Sequence, residues 1–426
     1  MTAVIGILNK HGAAIAADSA VTISGPNGRK ILNSANKIFT LTKYHPVGVM
    51  IYNSASFMAT PWEVIIKSYR EDLGNSEHNT VNEYSQDFIR YLRSKSYYTD
   101  AELQKEMLEG LFHSILNEIS NAALRDIKSP ESISSGQMVN LLEAEIDRWH
   151  QHLSSINDYC EDFDDYTPEE FTAYSSDIFE RTIDQPLTEK GLGVSEHHFS
   201  KLREILFEYI RSKYFSSFTG LIFVGYGKNE IYPSLIPLDI SGVFDNRLRY
   251  FIVENKRAHI TNRMSSAIRP FAQTDVIDTI LSGVDPDLNT LYINQLEGFF
   301  VKYNNLIANI ISDTSIELAD QIRNIRASSF TEEYAKQLEE VKQKRYIAPL
   351  MDAVDTLSKE DLFEMAESLI YLTYLKRRIT FAEESVGGPV DVALISKGDG
   401  FVWMKRKHYF QPELNHHFFA NYTKRE

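Results

Sequence analysis

The sequence predicts an α+β chain whose β core is interrupted by helical segments. Three observations carry this reading. Short apolar runs separated by turn residues lie at both ends of the chain. A third β-patterned block begins near residue 219, and the stretches from about 60 to 215 and from about 286 to 350 have helical period instead. Strands at opposite ends of the chain then need partners far away in sequence, which favours one interrupted domain over separate β and α domains.

The elements follow in order. Residues 2–9 (TAVIGILN) and 12–18 (GAAIAAD) read as a hairpin around Lys10-His11. Residues 24–30 (SGPNGRK) read as a loop by composition. Residues 36–42 and 47–53 form a second β pair, with His45-Pro46 as its turn. Pro61 suits the start of a helix, WEVIIKSYR. Helical spacing recurs over 101–127, with Leu108, Leu111, Ile115 and Ile119, and over 197–214, with Leu202, Ile205, Leu206 and Tyr209. The acidic stretch 158–189 between them reads as a solvated loop or exposed helix face. Strands resume at 219–226, 230–239 and 247–256. A helix from Asp275 to Leu281 then ends at Gly283, and a well-patterned helix covers about 358–378. GGPVDVALIS and GFVWMK close the chain as strands joined by Lys397-Gly398-Asp399-Gly400.

Composition narrows the function. The 426 residues carry a formal charge of −15, with 43% hydrophobic and 24% charged residues, the balance of a soluble globular protein. So acidic a chain lacks the basic field that nucleic acid or an anionic membrane requires. The single cysteine, Cys160, rules out a disulfide within the chain and fits a reducing compartment. The N-terminus lacks a basic start and a long apolar stretch, and no run approaches 18 apolar residues, so cytoplasmic residence is expected.

The chemistry centres on Thr2. A hydroxyl is a weak nucleophile without an adjacent base. If Met1 is removed, Thr2 gains a free α-amine, whose pKa of about 7.7–8.0 leaves it partly unprotonated at neutral pH. One residue then supplies nucleophile and base. By position alone Thr2 reads as the first residue of an edge strand, and Asp18 and Lys37 by themselves read as a structural ion pair.

Thr2-Ala3-Val4-Ile5-Gly6, then Gly12 through Ser19 (GAAIAADS), then Asn36-Lys37-Ile38-Phe39 resemble the start of proteasome β subunits and their bacterial relatives. The last helix, the Gly387-Gly388-Pro389-Val390-Asp391 segment and the Gly-Asp-Gly turn resemble the end of the same fold. The resemblance implies an N-terminal-nucleophile hydrolase with a four-layer αββα sandwich built from residues 1–72, 216–284 and 355–426. Residues 73–215 and 285–354 are then helical insertions. It implies a threonine peptidase or amidase acting on a peptide or protein without a cofactor or metal, and assembling as a homo-oligomeric ring or stack. Thr2 would attack, Lys37 would favour the unprotonated amine, and Asp18 would hold Lys37. Glu383 and Ser385 take the family's supporting carboxylate and hydroxyl positions, with Val386 where a serine is usual. Gln273 or Thr274 falls near a further serine position. The backbone of Tyr52 and Asn53 stands where the family has Gly-Gly and its oxyanion hole. Thr22, Met50 and Ser54 fall at substrate-pocket positions. An inactive assembly or recognition protein on the same fold is the alternative, motivated by Tyr52-Asn53 and Val386.

Other signals are weak. Gly225-Tyr226-Gly227-Lys228 lacks the full phosphate-loop spacing. The acidic run Glu161 to Asp165 lacks an EF-hand's glycine and terminal glutamate, and His197-His198 and His416-His417 lack the i,i+4 spacing of metal ligands on a helix. Lys405-Arg406-Lys407 reads as a solvated strand end rather than a nucleic-acid patch.

Overall fold

In the computed structural model the described residues are 2–25, 28–95, 100–125, 134–185, 187, 194–380, 386–408, 410–417 and 420, with nothing stated of the side chains of residues 22–29 and 412. The chain is a mixed α/β molecule built on antiparallel sheets. Its opening hairpin forms as the sequence predicts, from β1 (Ala3–Asn9) and β2 (Gly12–Ala17). Asn9 shapes the turn, its Oδ1 accepting from the amides of His11 and Gly12 at 2.8 and 3.3 Å. The same side chain donates to the carbonyls of Val354 and Leu357, tying the turn to a helix 345 residues further on.

The remaining strands are β3 (Val21–Gly25), β4 (Gly28–Leu32), β5 (Ile38–Thr40), β6 (Val47–Asn53), β7 (Ser56–Phe57), β8 (Thr60–Pro61), β9 (Thr219–Gly225), β10 (Ser234–Phe244), β11 (Arg247–Ile252), β12 (Ala258–His259), β13 (Ser266–Ala272), β14 (Asp391–Ser396) and β15 (Gly400–Lys405). The first sheet runs β13-β1-β2-β14-β15 and the second β11-β10-β9-β6-β5, with β12 beside β10. The N-terminal hairpin is therefore central, flanked on one side by residues 266–272 and on the other by residues 391–396. The first sheet thus draws its strands from residues 3–17, 266–272 and 391–405.

Pleating decides what each strand buries. Val4, Leu8, Ala13 and Ile15 face a core shared with Met50, Tyr52, Ile222, Val224 and Leu235 of the second sheet. Ala3, Ile5, Ile7, Ala14 and Ala16 face the other way. There they meet α7 (Asp275–Ser282), α11 (Ala348–Thr356) and α12 (Lys359–Ile379) through Ile277, Val354, Leu362, Ala366 and Ile370. The far face of the second sheet packs on α1 (Trp62–Leu73) and α2 (Val81–Ser94), whose Trp62, Ile66, Tyr69 and Phe88 contact Val49, Leu221 and Phe223.

Three local readings change. The SGPNGRK segment takes part in the β3–β4 hairpin, although Pro26 and Asn27 lie outside the described residues. The acidic stretch 158–189 is not merely solvated. Its Phe163, Tyr166, Phe171, Ile178 and Phe179 are buried with α3 (Ala101–Leu124), α4 (Ser135–Ser154), α5 (Pro168–Phe179) and α6 (Glu196–Arg211), and its carboxylates line the outside. Strand β13 has no counterpart in the sequence reading because Pro270 interrupts its pattern. It is an edge strand, where a missing N–H is tolerated. No helix among the described residues is long and apolar enough to cross a membrane.

Gly220 shows how tightly the second sheet closes around Tyr52. A Cβ on Gly220 would lie 1.8 Å from the Tyr52 ring, whose hydroxyl donates to Asp239 at 2.8 Å. Gly220→Ala must expel the ring and is expected to cost about 2–3 kcal/mol. It lowers the urea midpoint at unchanged m value. Gly110→Ala, in α3 with open space around it, is expected to stabilise by about 0.5–1 kcal/mol instead.

Candidate functional site

At one end of the two sheets, β1 begins, β2 ends and the chain enters β5. The β1–β2 register runs on past Val4↔Ala17, so that Asp18 N–H donates to the Ala3 carbonyl at 3.1 Å. The Asp18 carboxylate returns the contact, its Oδ1 accepting from the Ala3 amide at 2.9 Å and from Lys37 Nζ at 2.6 Å. Its Oδ2 accepts from the amides of Ala20 and Gly387 at 3.1 and 3.0 Å. Lys37 also donates to the Ala20 carbonyl at 2.6 Å. Asp18 and Lys37 are 2% and 3% exposed, so the pair is cut off from water. Burial holds the Lys37 ammonium below the usual lysine range, and the Asp18 charge opposes that shift without cancelling it.

Thr2 sits beside this pair. Its carbonyl accepts from the Gln273 amide at 3.2 Å, which continues the β1–β13 ladder, and its residue is 4% exposed. Alternation along β1 turns its side chain toward the inter-sheet face that Val4 and Leu8 line. One carboxylate oxygen thus links Lys37 to the residue that follows Thr2.

The strand that carries Tyr52 and Asn53 ends nearby. Ile51 N–H donates to the Lys37 carbonyl at 2.9 Å, so odd-numbered amides of β6 face β5 and even-numbered ones face β9. Tyr52 N–H is therefore turned into the β9 ladder, opposite Gly220, and cannot serve as an anion donor as expected from the sequence. Asn53 turns its amide to the edge beyond β5. Its φ of 65° is a left-handed conformation that asparagine tolerates.

The other sequence candidates are dispersed. Met50 is fully buried in the sheet-to-sheet core, so it is a packing residue rather than a pocket wall. Ser54 Oγ donates to the Ser56 carbonyl at 2.9 Å. Thr22 pairs with Ile31 in the β3–β4 hairpin. Glu383 and Ser385 lie outside the described residues. Val386 is buried in the apolar cluster under the first sheet.

Two features escaped the sequence reading. Gly387 supplies an amide to Asp18, and Gly388, at φ 74°, passes Asn33 so closely that a Cβ would lie 2.9 Å from it. Beside it, Asp391 is buried opposite Ala17 and takes Lys407 Nζ, while Lys407 N donates to its Oδ1 at 2.8 Å. Lys407 is thus the partner of a buried carboxylate and not a solvated strand end. A charge within the apolar run Val390-Asp391-Val392 was the available signal for it.

Asp239 forms a neighbouring titratable group. Burial pushes its carboxyl up to about 6, against the pull of the Tyr52 hydrogen bond and of Lys256. Among the described residues no cluster of three or more His, Cys, Asp or Glu gathers as a metal site.

No family model matches the chain, and no curated protein matches it either. Among solved structures it is similar to an Anbu (Gly-1) mutant from Hyphomicrobium sp. strain MC1, at 9% identity and a TM-score of 0.29, over 100% of this chain and 98% of that one. It is similar to Anbu (ancestral beta-subunit) from Yersinia bercovieri at 9% identity and a TM-score of 0.27, over 98% of this chain and 94% of that one. The expected membership of the proteasome β-subunit family is corrected accordingly. At 9% identity, with no matching family model, the chain does not join that family.

Two outcomes follow from the geometry. Lys37→Met leaves the Asp18 carboxylate buried and unpaired, and is expected to cost about 3–5 kcal/mol in denaturant unfolding. Adding Asp18→Asn should cost markedly less than the sum of the two single changes in a double-mutant cycle, whereas additive losses would mean that the two residues are not coupled. For Asp239, the folded value of about 6 lies above the unfolded value near 3.8. The fold therefore binds the proton more tightly, and this group's contribution is present below pH 4 and lost as pH rises through 6. Asp239→Asn is expected to gain on the wild type by about 2–3 kcal/mol between pH 4 and 7.5, read from unfolding free energies at the two pH values.

Proposed function

We propose that the chain is an N-terminal threonine hydrolase that cleaves an amide, most simply in a peptide, through an acyl-enzyme. The observation that carries this reading is the Asp18 carboxylate shared between Lys37 Nζ and the amide that follows Thr2. The reading requires Thr2 to be the first residue of the mature chain, by loss of Met1 or by cleavage before Thr2. The free α-amine takes the Oγ proton as Oγ bonds to the substrate carbonyl carbon. The tetrahedral oxyanion accepts a hydrogen bond from the Asn53 amide, and collapse expels the amine product with the transferred proton. Water, deprotonated by the same α-amine, then hydrolyses the Thr2 ester. Lys37 acts as a fixed cation. Beside a second positive charge the α-amine loses its proton more readily, so more of it is a competent base near neutral pH.

We propose further that the two sheets and the helices on their outer faces form a four-layer αββα arrangement. Its core is drawn from residues 1–72, 216–284 and 355–426, with 73–215 and 285–354 as insertions. The packing of α1 and α2 on one side and of α7, α11 and α12 on the other supports it. A second reading, a non-catalytic recognition protein, draws support from Tyr52 and from the buried Val386, which has no hydroxyl to orient an amine.

The two readings diverge in one experiment. In the first, intact-mass spectra show a chain beginning at Thr2, and a β-lactone or epoxyketone probe adds one equivalent to it. Thr2→Ala abolishes the adduct. Lys37→Arg, which keeps the charge, reduces the labelling rate by about 10²-fold or more through misplacement alone. A chain that keeps Met1 and takes up no probe would sink the hydrolase reading and leave the second.

A further inference from the structure

The helix α8 (Pro286–Ile311) is 26 residues long and fully buries only Ala308. It carries three charged residues, Asp287, Glu297 and Lys302. A helix this long and this poor in charge has an apolar face to cover. That face is the stripe Tyr292, Leu296, Phe299, Tyr303, Leu306 and Ile310, all of it exposed by 57–70% except Leu296, which is half-buried. None of the three charges lies on it. The intervals are 4, 3, 4, 3 and 4 residues, the repeat of a coiled-coil seam.

A second seam runs alongside. The helix α10 (Ala327–Lys342) exposes Phe330, Tyr334 and Val341, with Gln337 completing a 4, 3, 4 spacing. Phe300 stacks on Phe330 at 5.6 Å and holds the two helices together. Between the seams lies a groove of about 520 Å³, lined by Tyr292, Leu296 and Phe300 on one side and by Phe330, Glu333, Tyr334 and Gln337 on the other.

We propose that this two-helix face is the interface with a second copy of the same chain, forming a four-helix bundle across a two-fold axis. Area selects that occupant. With a fully exposed aromatic side chain at roughly 200 Å², the two seams leave roughly 800 Å² of apolar surface per copy. That is about the share each partner gives to a stable interface, and about twice what a monomer usually leaves open. The spacing of the stripe is compatible with a two-fold axis. The α8 intervals read the same from both ends, so a two-fold axis across the helix sets Tyr292 against the second copy's Ile310. The same axis sets Leu296 against Leu306 and Phe299 against Tyr303. Spacing of this kind allows a two-fold contact between identical helices along the stripe. The rest of the insertion agrees. α9 (Ile316–Arg323) buries only Ala319, so the arm has little core of its own and gains one by pairing.

The test is the mass of the full chain in solution, by light scattering after size exclusion at micromolar concentration. The wild type is expected to be a dimer or a multiple of one, and Phe299→Glu with Leu306→Glu to halve its mass. Should that variant fail to fold, Tyr303→Ala with Leu306→Ala is the milder one, expected to raise the dissociation constant at least tenfold while the circular-dichroism spectrum stays unchanged. Ile231→Glu, at another exposed apolar position, is expected to leave the mass unaltered. A monomeric wild type, a mass unaffected by the stripe variants, equal dissociation by Ile231→Glu, or a co-purifying protein or lipid in place of the second copy would each overturn the proposal.

Discussion

The Asp18 carboxylate is the contact on which the rest of the site depends. Its two oxygens accept from the start of β1, from the turn after β2, from the lysine that leads into β5 and from the segment before β14. Four stretches that span almost the whole sequence meet at one side chain. A charge so deeply buried is tolerated only when its lone pairs are filled and its counter-ion is close. Each of those stretches is therefore held in register by the cost of leaving the carboxylate short of a donor.

From that constraint the layout of the end of the sheets follows. Gly387 presents its amide to Asp18, and Gly388 must turn with positive φ past Asn33. Ser19, next in the chain, closes the same junction by donating to the Pro389 carbonyl. Asp391 and Lys407 repeat the arrangement one strand over, and their charges also reach Lys37. The cations and anions here alternate along the edge of the first sheet, so no carboxylate in the described part of this network is left without a cation.

Much of the architecture was legible because period is legible. Small apolar residues alternate through β1 and β2, and the helices at 62–73, 101–124, 196–211 and 359–379 declare themselves by their buried stripes. The grouping of Thr2, Asp18 and Lys37 came from the resemblance of the N-terminal segments to proteasome β subunits, since by themselves Asp18 and Lys37 read only as a structural ion pair. What stayed hidden depends on through-space facts. Strand β13 was masked by Pro270, which only an edge position explains. The amide parity that turns Tyr52 inward and Asn53 outward depends on which carbonyl Ile51 meets. The cluster of aromatics inside the acidic stretch was hidden by its charges, because composition reports the outer face of a helix as loudly as the inner one.

Whether Lys37 and Asp18 are only a structural pair turns on energetics. A buried ion pair is a poor way to gain stability, since two well-packed apolar side chains of similar volume often do as well or better. The chain nevertheless keeps the pair at the start of β1, between the apolar clusters on the two faces of the first sheet. Burial already holds the Lys37 ammonium below its ordinary range despite Asp18, so the fold bears a standing cost to keep a cation there. That cost already holds in register the four stretches that meet at Asp18. It gains a second use if another amine, the proposed N-terminus of Thr2, is to be kept unprotonated beside it.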